Sequence, residues 1–216
     1  MAISNEIKTL VLTQALPYIQ RYKDKVVVVN CSVDPGEIAA VMEAFVSDIV
    51  LLGSIGVKVV LVQGADVKNT LCLCGAIDKS GGKAVFLHKA DKENIEQMLS
   101  LGYIPIVSVS EHGADMAAAR VAWELKAENL IVPAPAPGIF DPADRNSLVS
   151  ELSVSDVPYF VKQGAILGNM IETVDACVEA VRRGVKKACI IDGRIAHSIL
   201  IEMFSDEGIG TLFVSE

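Results

Sequence analysis

Three groups of residues in this chain have types and spacings that could do chemistry. The first is Asn30-Cys31-Ser32-Val33-Asp34-Pro35-Gly36-Glu37, directly after the apolar run Val26–Val29. A buried strand that feeds a turn and then a helix is where many nucleotide-handling α/β proteins hold phosphate. They use glycine N–H groups, a lysine and the helix dipole. This corner has no lysine, and no glycine before Gly36, so the frame is present without its usual phosphate donors. The second group is Cys72-Leu73-Cys74 with His88 downstream. Metal sites usually offer two such pairs or a C-x-x-C, so ordinary thiols explain it better and no metal is expected. The third is His112 with Asp115, which reads as an acid/base pair or equally as surface loop residues. No nucleophile elbow, P-loop or paired-carboxylate arrangement is present.

The elements that must position these residues follow from the apolar pattern. Of 216 residues 51% are hydrophobic and 21% charged, which suits one compact domain or two tightly joined lobes with a substantial core. The apolar runs are short and rich in valine: Val26–Val29, Val57–Val62, Ile104–Val107 and Cys189–Ile191. Such runs read as strands buried on both faces, the mark of a parallel α/β sheet. A helix is expected over Glu6–Tyr22, whole or broken at Pro17, packed on its own domain or exchanged between subunits. Strand Lys25–Val29, helix Pro35–Gly53 and strand Lys58–Gln63 then form a right-handed crossover. Gly64–Gly82 reads as loop. After it come helix Ala90–Leu101, strand Tyr103–Ser108, helix Met116–Lys126 and strand Leu130–Val132. Pro133–Gly138 is a stiff irregular turn that marks a possible seam between lobes. The remainder reads as helices Ser155–Gln163, Ile171–Arg183 and Ser198–Phe204 with strands Lys187–Ile191 and Thr211–Val214.

Charge and cysteine usage narrow the classes of partner. The net charge of −8 without a basic stripe argues against nucleic-acid binding, where phosphate neutralisation dominates affinity. No apolar run approaches the ~18–20 residues of a membrane span, and the N-terminus lacks the pattern of a secretory signal. Five cysteines, odd in number and mostly in apolar or helical sequence, fit reduced thiols in the cytoplasm or an organelle stroma or matrix.

The C-terminal third carries an ordered series of motifs. It runs Gly168-Asn169-Met170-Ile171, Val174, Ala176-Cys177, Gly184-Val185-Lys186, Ile190-Ile191-Asp192-Gly193-Arg194, His197-Ser198 and Asp206-Glu207-Gly208-Ile209-Gly210-Thr211. The series closely resembles the N-acetylglutamate kinases of the amino-acid kinase superfamily. Ala15-Leu16-Pro17-Tyr18-Ile19-Gln20-Arg21-Tyr22, Val46–Leu52 with Gly56, and Gly102-Tyr103-Ile104-Pro105 are similar to earlier parts of that family. The resemblance covers most of the chain except a shortened stretch after Gly64. It implies a three-layer αβα sandwich with an open, mainly parallel central sheet in one domain. The N-terminal helix would occupy 4–22, an acyl-substrate lobe about 23–128, and a nucleotide lobe about 129–216.

The resemblance also implies ATP and Mg²⁺ as cofactors and phosphoryl transfer to a carboxylate, a reaction that needs cations and close N–H donors. Those groups are replaced. The family's Lys-x-Gly-Gly falls on Asn30, Cys31, Ser32 and Val33, and its second glycine turn on Gly64, Ala65 and Asp66. The substrate-binding Asn and catalytic Asp fall on Ala117 and Ala119, and the Thr-Asp of the nucleotide loop on Ala134-Pro135. The second catalytic lysine falls on Thr173. Gly138, Gly168 and Met170 stand as remnants of the nucleotide lobe. Tyr18, Glu202 and Gly208 match positions of an arginine effector site, in which Cys189 replaces a histidine. The expectation is a non-catalytic homologue without a bound cofactor. It would act by association with itself through the N-terminal helix and sheet-flanking helices, with an active acetylglutamate kinase, or within a larger assembly. The alternatives are residual ATP-dependent kinase activity in arginine biosynthesis, or an arginine-sensing module.

Overall fold

A computed structural model describes residues 4–31, 39–64, 66–109 and 113–215. Its elements, in chain order, are α1 (Asn5–Tyr22), β1 (Val26–Asn30), α2 (Ala39–Ser54), β2 (Lys58–Gly64), α3 (Val67–Lys79), β3 (Ala84–Leu87), α4 (Lys92–Ser100) and β4 (Ile104–Val109). They continue with α5 (Ala114–Glu124), β5 (Asn129–Ala134), β6 (Glu151–Ser153), α6 (Val157–Lys162), α7 (Asn169–Arg182), β7 (Lys187–Asp192), α8 (Ser198–Met203) and β8 (Thr211–Val214). The strands form one sheet in the order β3-β4-β2-β1-β5-β7-β8-β6. All paired neighbours run parallel except β7 and β8. This is the expected open, mainly parallel sheet between helical layers.

Alternation along the strands divides the core into two apolar layers. Val28, Val60, Val62, Leu130, Val132, Ala188 and Ile190 face the layer that contains α4, α5 and α7. Val27, Val29, Val59, Leu61, Ile131, Cys189 and Ile191 face the layer of α2, α3 and α8. Each such Val, Leu or Ile contributes roughly 1.5–3 kcal/mol by leaving water.

Two differences from the sequence reading bear on the site. The stretch after Gly64 is not a loop, because α3 occupies Val67–Lys79. Asp66 caps it, accepting from the N–H groups of Lys68 and Asn69, and Thr70, Leu73 and Ile77 bury one face at helical spacing. The edge strands β3 and β6, of four and three residues, lay below what an alternating pattern reveals. Of the two forms expected for the N-terminal helix, α1 takes the unbroken one through Pro17. The strand order also identifies where a ligand would sit. The chain winds one way from β1 through β2 and the other way from β5 to β7, so the order reverses between β1 and β5. Ligands of open α/β sheets bind outside the strand carboxyl ends at such a reversal.

Candidate functional site

A cavity of about 870 Å³ lies at that place. Its floor is the carboxyl end of four strands: Asn30 and Cys31 after β1, Gln63 of β2, Val132–Pro135 at the end of β5, and Gly193-Arg194 after β7. The walls come from α2 (Met42, Phe45, Asp48), α3 (Asn69, Cys72, Leu73), α5 (Asp115), α7 (Asn169, Thr173) and the start of α8 (His197, Ser198).

On the α5 side the centre of the site is Asp115. The Asn30 amide donates to Asp115 Oδ1, and the Thr173 hydroxyl donates to Asp115 Oδ2 at 2.5 Å. Strand β1 delivers Asn30 on the face it shares with Val28, α5 delivers Asp115 in its first turn, and α7 delivers Thr173 in its second. Two neutral groups therefore hold one carboxylate. Helix α7 begins at Asn169, and the positive end of its dipole is the feature of this wall that favours an anion.

On the α2 side the polar centre is Asp48, which is 1% exposed. His197 Nδ1 lies 2.6 Å from Asp48 Oδ1, while Asp48 Oδ2 has no hydrogen-bond partner. Burial pushes the Asp48 carboxyl above the usual carboxylate range, and the hydrogen bond and charge of His197 pull it back. The Leu200 N–H also favours the charged form without closing a hydrogen bond to Oδ2. His197 adopts a left-handed backbone, φ 61°, where the β7–α8 turn enters the helix. Cys31 Sγ donates to the Val62 carbonyl at 3.2 Å, and burial pushes this thiol up to about 12, so it is no nucleophile at neutral pH. The guanidinium of Arg194 is engaged by Asp192, Nε to Oδ1 at 2.9 Å and Nη2 to Oδ2 at 2.7 Å. Those bonds hold the Asp192 carboxyl below its usual range.

The residues singled out in the sequence are distributed as follows. Asn30 and Thr173 meet, with Pro135 on the same cavity wall. The carboxylate between them is that of Asp115, four positions before Ala119, on which the resemblance had placed the family's acid. Ala119 is fully buried and Ala117 packs against the same core, because both lie on the face of α5 turned to the sheet. In the sequence Asp115 was singled out only beside His112, ahead of the helix expected from Met116, whereas α5 begins at Ala114 and carries Asp115 in its first turn. Asp66 is committed as the cap of α3. Ser32, Val33, Ala65 and His112 lie outside the described residues. Asp48 and His197 carried no chemical reading in the sequence, since they sit 149 positions apart.

Gly138, Gly168 and Met170 do not line the cavity. At Gly138 the backbone passes so close to β8 that a Cβ would come within 2.6 Å of Thr211 Oγ1. Gly168 precedes α7, and Met170 packs on the core. Tyr18, Cys189, Glu202 and Gly208 gather at the seam of α1, α8 and the turn after it. There the Tyr18 hydroxyl donates to Asp206 at 2.7 Å, and Glu202 Oε2 accepts from the Ile209 N–H at 3.0 Å. Gly208 packs directly on the Glu202 carboxylate. Cys189 is buried, and burial with the Glu202 charge drives its thiol well above the usual value. Glu202 thus braces the turn with its own carboxylate. The Cys72 and Cys74 thiols form no metal cluster with other ligands among the described residues.

Comparison with known proteins agrees with this architecture. Residues 65–192 match the amino acid kinase family. An acetylglutamate kinase from Brachyspira hyodysenteriae is 33% identical over 98% of this chain and 98% of its own. Another from Clostridium beijerinckii is 33% identical over 94% of this chain and 96% of its own. The first alignment runs over 282 positions against a chain of 216, so this chain lacks residues that the relative carries. Among solved structures, N-acetylglutamate synthase from Neisseria gonorrhoeae shares the fold, with a TM-score of 0.83 at 20% identity. The match covers 96% of this chain and 63% of that one. The strand order, the cavity at the reversal and the full-length relatives lead to one conclusion: this chain belongs to the amino acid kinase family.

Proposed function

We propose that this protein is an acetylglutamate-kinase-like subunit of arginine biosynthesis that keeps the cleft and the frame of the family but does not transfer phosphate. It acts by association, with a second copy of itself, with an active acetylglutamate kinase, or within a larger assembly. The observation that carries this reading is the Asn30–Asp115–Thr173 network. Transfer of a phosphoryl group to a carboxylate brings several negative charges together, and positioned cations must neutralise them. Here the groups that flank the central carboxylate are an amide and a hydroxyl. No lysine is among the described residues that line the cavity, and residues 32–38, 65 and 110–112, which lie outside the described residues, contain neither lysine nor arginine in their sequence. Arg194 is already paired with Asp192. The residues present do not fit a nucleotide triphosphate with its metal, and no transfer step is derived through them.

A second reading is retained because one element favours it. The start of α7 at the cavity is suited to an anion, and the full-length relatives are named acetylglutamate kinases. On that reading the chain is an ATP-dependent kinase that uses Mg²⁺. Isothermal titration with ATP·Mg²⁺, together with phosphorylation of N-acetylglutamate followed by product detection, separates the two. The subunit reading expects no heat at micromolar nucleotide and no product above background. Micromolar binding with turnover would replace it by the kinase reading.

A further inference from the structure

The α2 side of the cavity is chemically unlike the α5 side. Within it, two side chains more than nine-tenths buried each carry an oxygen without a partner: Asp48 Oδ2 and Gln63 Oε1. Both residues line the cavity, and both lie on the same face of the sheet. Gln63 alternates with Leu61 and Val59 toward α2, the helix that bears Asp48. Both orphan atoms are acceptors. A buried acceptor without a donor is unfavourable, and a native structure that retains two in one cavity leaves them for something that supplies N–H or O–H groups. The other orphan oxygen among the described residues, Asn129 Oδ1, stands at the first residue of the central strand β5, at the end away from the cavity, and belongs to no such pair. Around the two acceptors the wall is apolar, formed by Met42, Phe45, Leu73 and Ile199.

We propose that this half of the cavity binds a ligand headed by an N–H donor, an ammonium or carboxamide on a short apolar body, and not a carboxylate or phosphate. The donor bridges Asp48 Oδ2 and Gln63 Oε1 while the body packs on Phe45 and its neighbours. His197 fixes the Asp48 carboxylate through Oδ1 and leaves Oδ2 for the ligand. An anionic head placed here would meet the Asp48 charge and two lone pairs with no donor between them. The inference deepens the reading that the cleft binds without transferring phosphate and rests on it, since a triphosphate in the same cleft would bring its own charges to these acceptors.

Three probes of matched reach, hexylammonium, hexanamide and hexanoate, test it on the full chain by titration calorimetry, with ATP·Mg²⁺ titrated separately. Hexylammonium and hexanamide are expected to bind at millimolar concentration and hexanoate not to bind. The substitutions Asp48→Asn and Gln63→Met should each weaken the bound probe by about tenfold, the scale of one lost hydrogen bond to a buried group. If either variant fails to fold, nuclear Overhauser contacts in the unmodified protein locate the probe, with the methylenes expected against the Phe45 ring and the Met42 methyl. Equal binding of hexanoate, no binding of either donor probe, or a probe located elsewhere overturns the inference and leaves water as the occupant of the two acceptors. Binding of ATP·Mg²⁺ at micromolar concentration overturns the proposed function instead, and the comparison of donor with carboxylate probes is then judged on its own outcome.

Discussion

The Asp48–His197 pair sets a pH dependence whose sign is opposite to that of an ordinary surface carboxylate. Burial raises the Asp48 carboxyl, and His197 offsets part of the rise. Between the unfolded value and the raised one, the native state holds a proton that the unfolded chain has released. Stability contributed by this group therefore falls as pH rises through that interval. Asp48→Asn should flatten the dependence there, read as urea midpoints across mildly acidic pH in the two proteins. His197→Ala removes the partner of Oδ1 from a residue 1% exposed. It should cost about 1–3 kcal/mol at neutral pH, the desolvation of a buried acceptor left alone. An unchanged midpoint would mean that Asp48 is protonated and needs no partner. The second residue-scale prediction concerns Asp115. Lysines at positions 30 and 173 would flank its carboxylate with the two cations the cleft lacks. The double variant Asn30→Lys/Thr173→Lys should gain about tenfold or more in affinity for ATP·Mg²⁺, because each charge-assisted contact contributes about 1.5–3 kcal/mol. No gain in a folded double variant would mean that the missing cations are not what bars nucleotide.

At the scale of elements, the segment from β5 to β8 depends on one close approach. Gly138 has φ 143°, and the nearby Thr211 hydroxyl accepts from the Ile139 N–H at 2.8 Å and donates to the Val149 carbonyl at 2.7 Å. A methyl at position 138 would collide with that hydroxyl in a backbone region that favours glycine. Gly138→Ala should therefore cost about 1–3 kcal/mol or more, with the loss visible in thermal unfolding. This glycine was legible in the sequence as part of a turn, but its contact with β8 was not, because Gly138 and Thr211 lie 73 positions apart. The same division runs through the whole fold. Strands β1, β2, β5 and β7 announced themselves as runs buried on both faces, and helix α7 by its apolar spacing and the glycine that follows it. Helix α3 was hidden because glycines and polar residues surround it, and its apolar positions Leu73 and Ile77 make sense only once β2 and α2 lie beside them. The site divided in the same way. Asn30 and Thr173 stood out by what they replaced, whereas Asp115 was read only beside His112, as an acid/base pair or a surface loop residue, and its place between Asn30 and Thr173 depends on contacts 58 and 85 positions away. The acceptor pair Asp48 and Gln63 exists only where the crossover brings α2 back over β2.

For the whole molecule, the open question is what covers α1. Its carboxyl end is anchored: Tyr22 is buried, its hydroxyl accepts from Asn129 Nδ2 at 3.4 Å, and Tyr18 reaches Asp206. Toward the amino end Ile7, Leu10, Val11, Leu12 and Leu16 are exposed, Leu12 at 70%. These positions point to more than one face of the helix, and a helix apolar over so much of its circumference is stable in water only with a partner surface. Each such side chain contributes roughly 1.5–3 kcal/mol when buried, so an interface that covered this helix would gain substantially from it. A second copy of the chain is the simplest occupant, since an isologous contact lets the same apolar surface cover itself. Val11→Asp combined with Leu12→Asp places two charges in such an interface while leaving the anchored end intact. Light scattering should then show the unmodified protein as an oligomer and the double variant as a monomer with unchanged far-ultraviolet circular dichroism. If the unmodified protein is monomeric at micromolar concentration, α1 is not a self-association element. On the proposed function the helix would then meet a different protein, such as an active acetylglutamate kinase, and the charged variant should fail to bind that kinase in a pull-down that the unmodified protein passes.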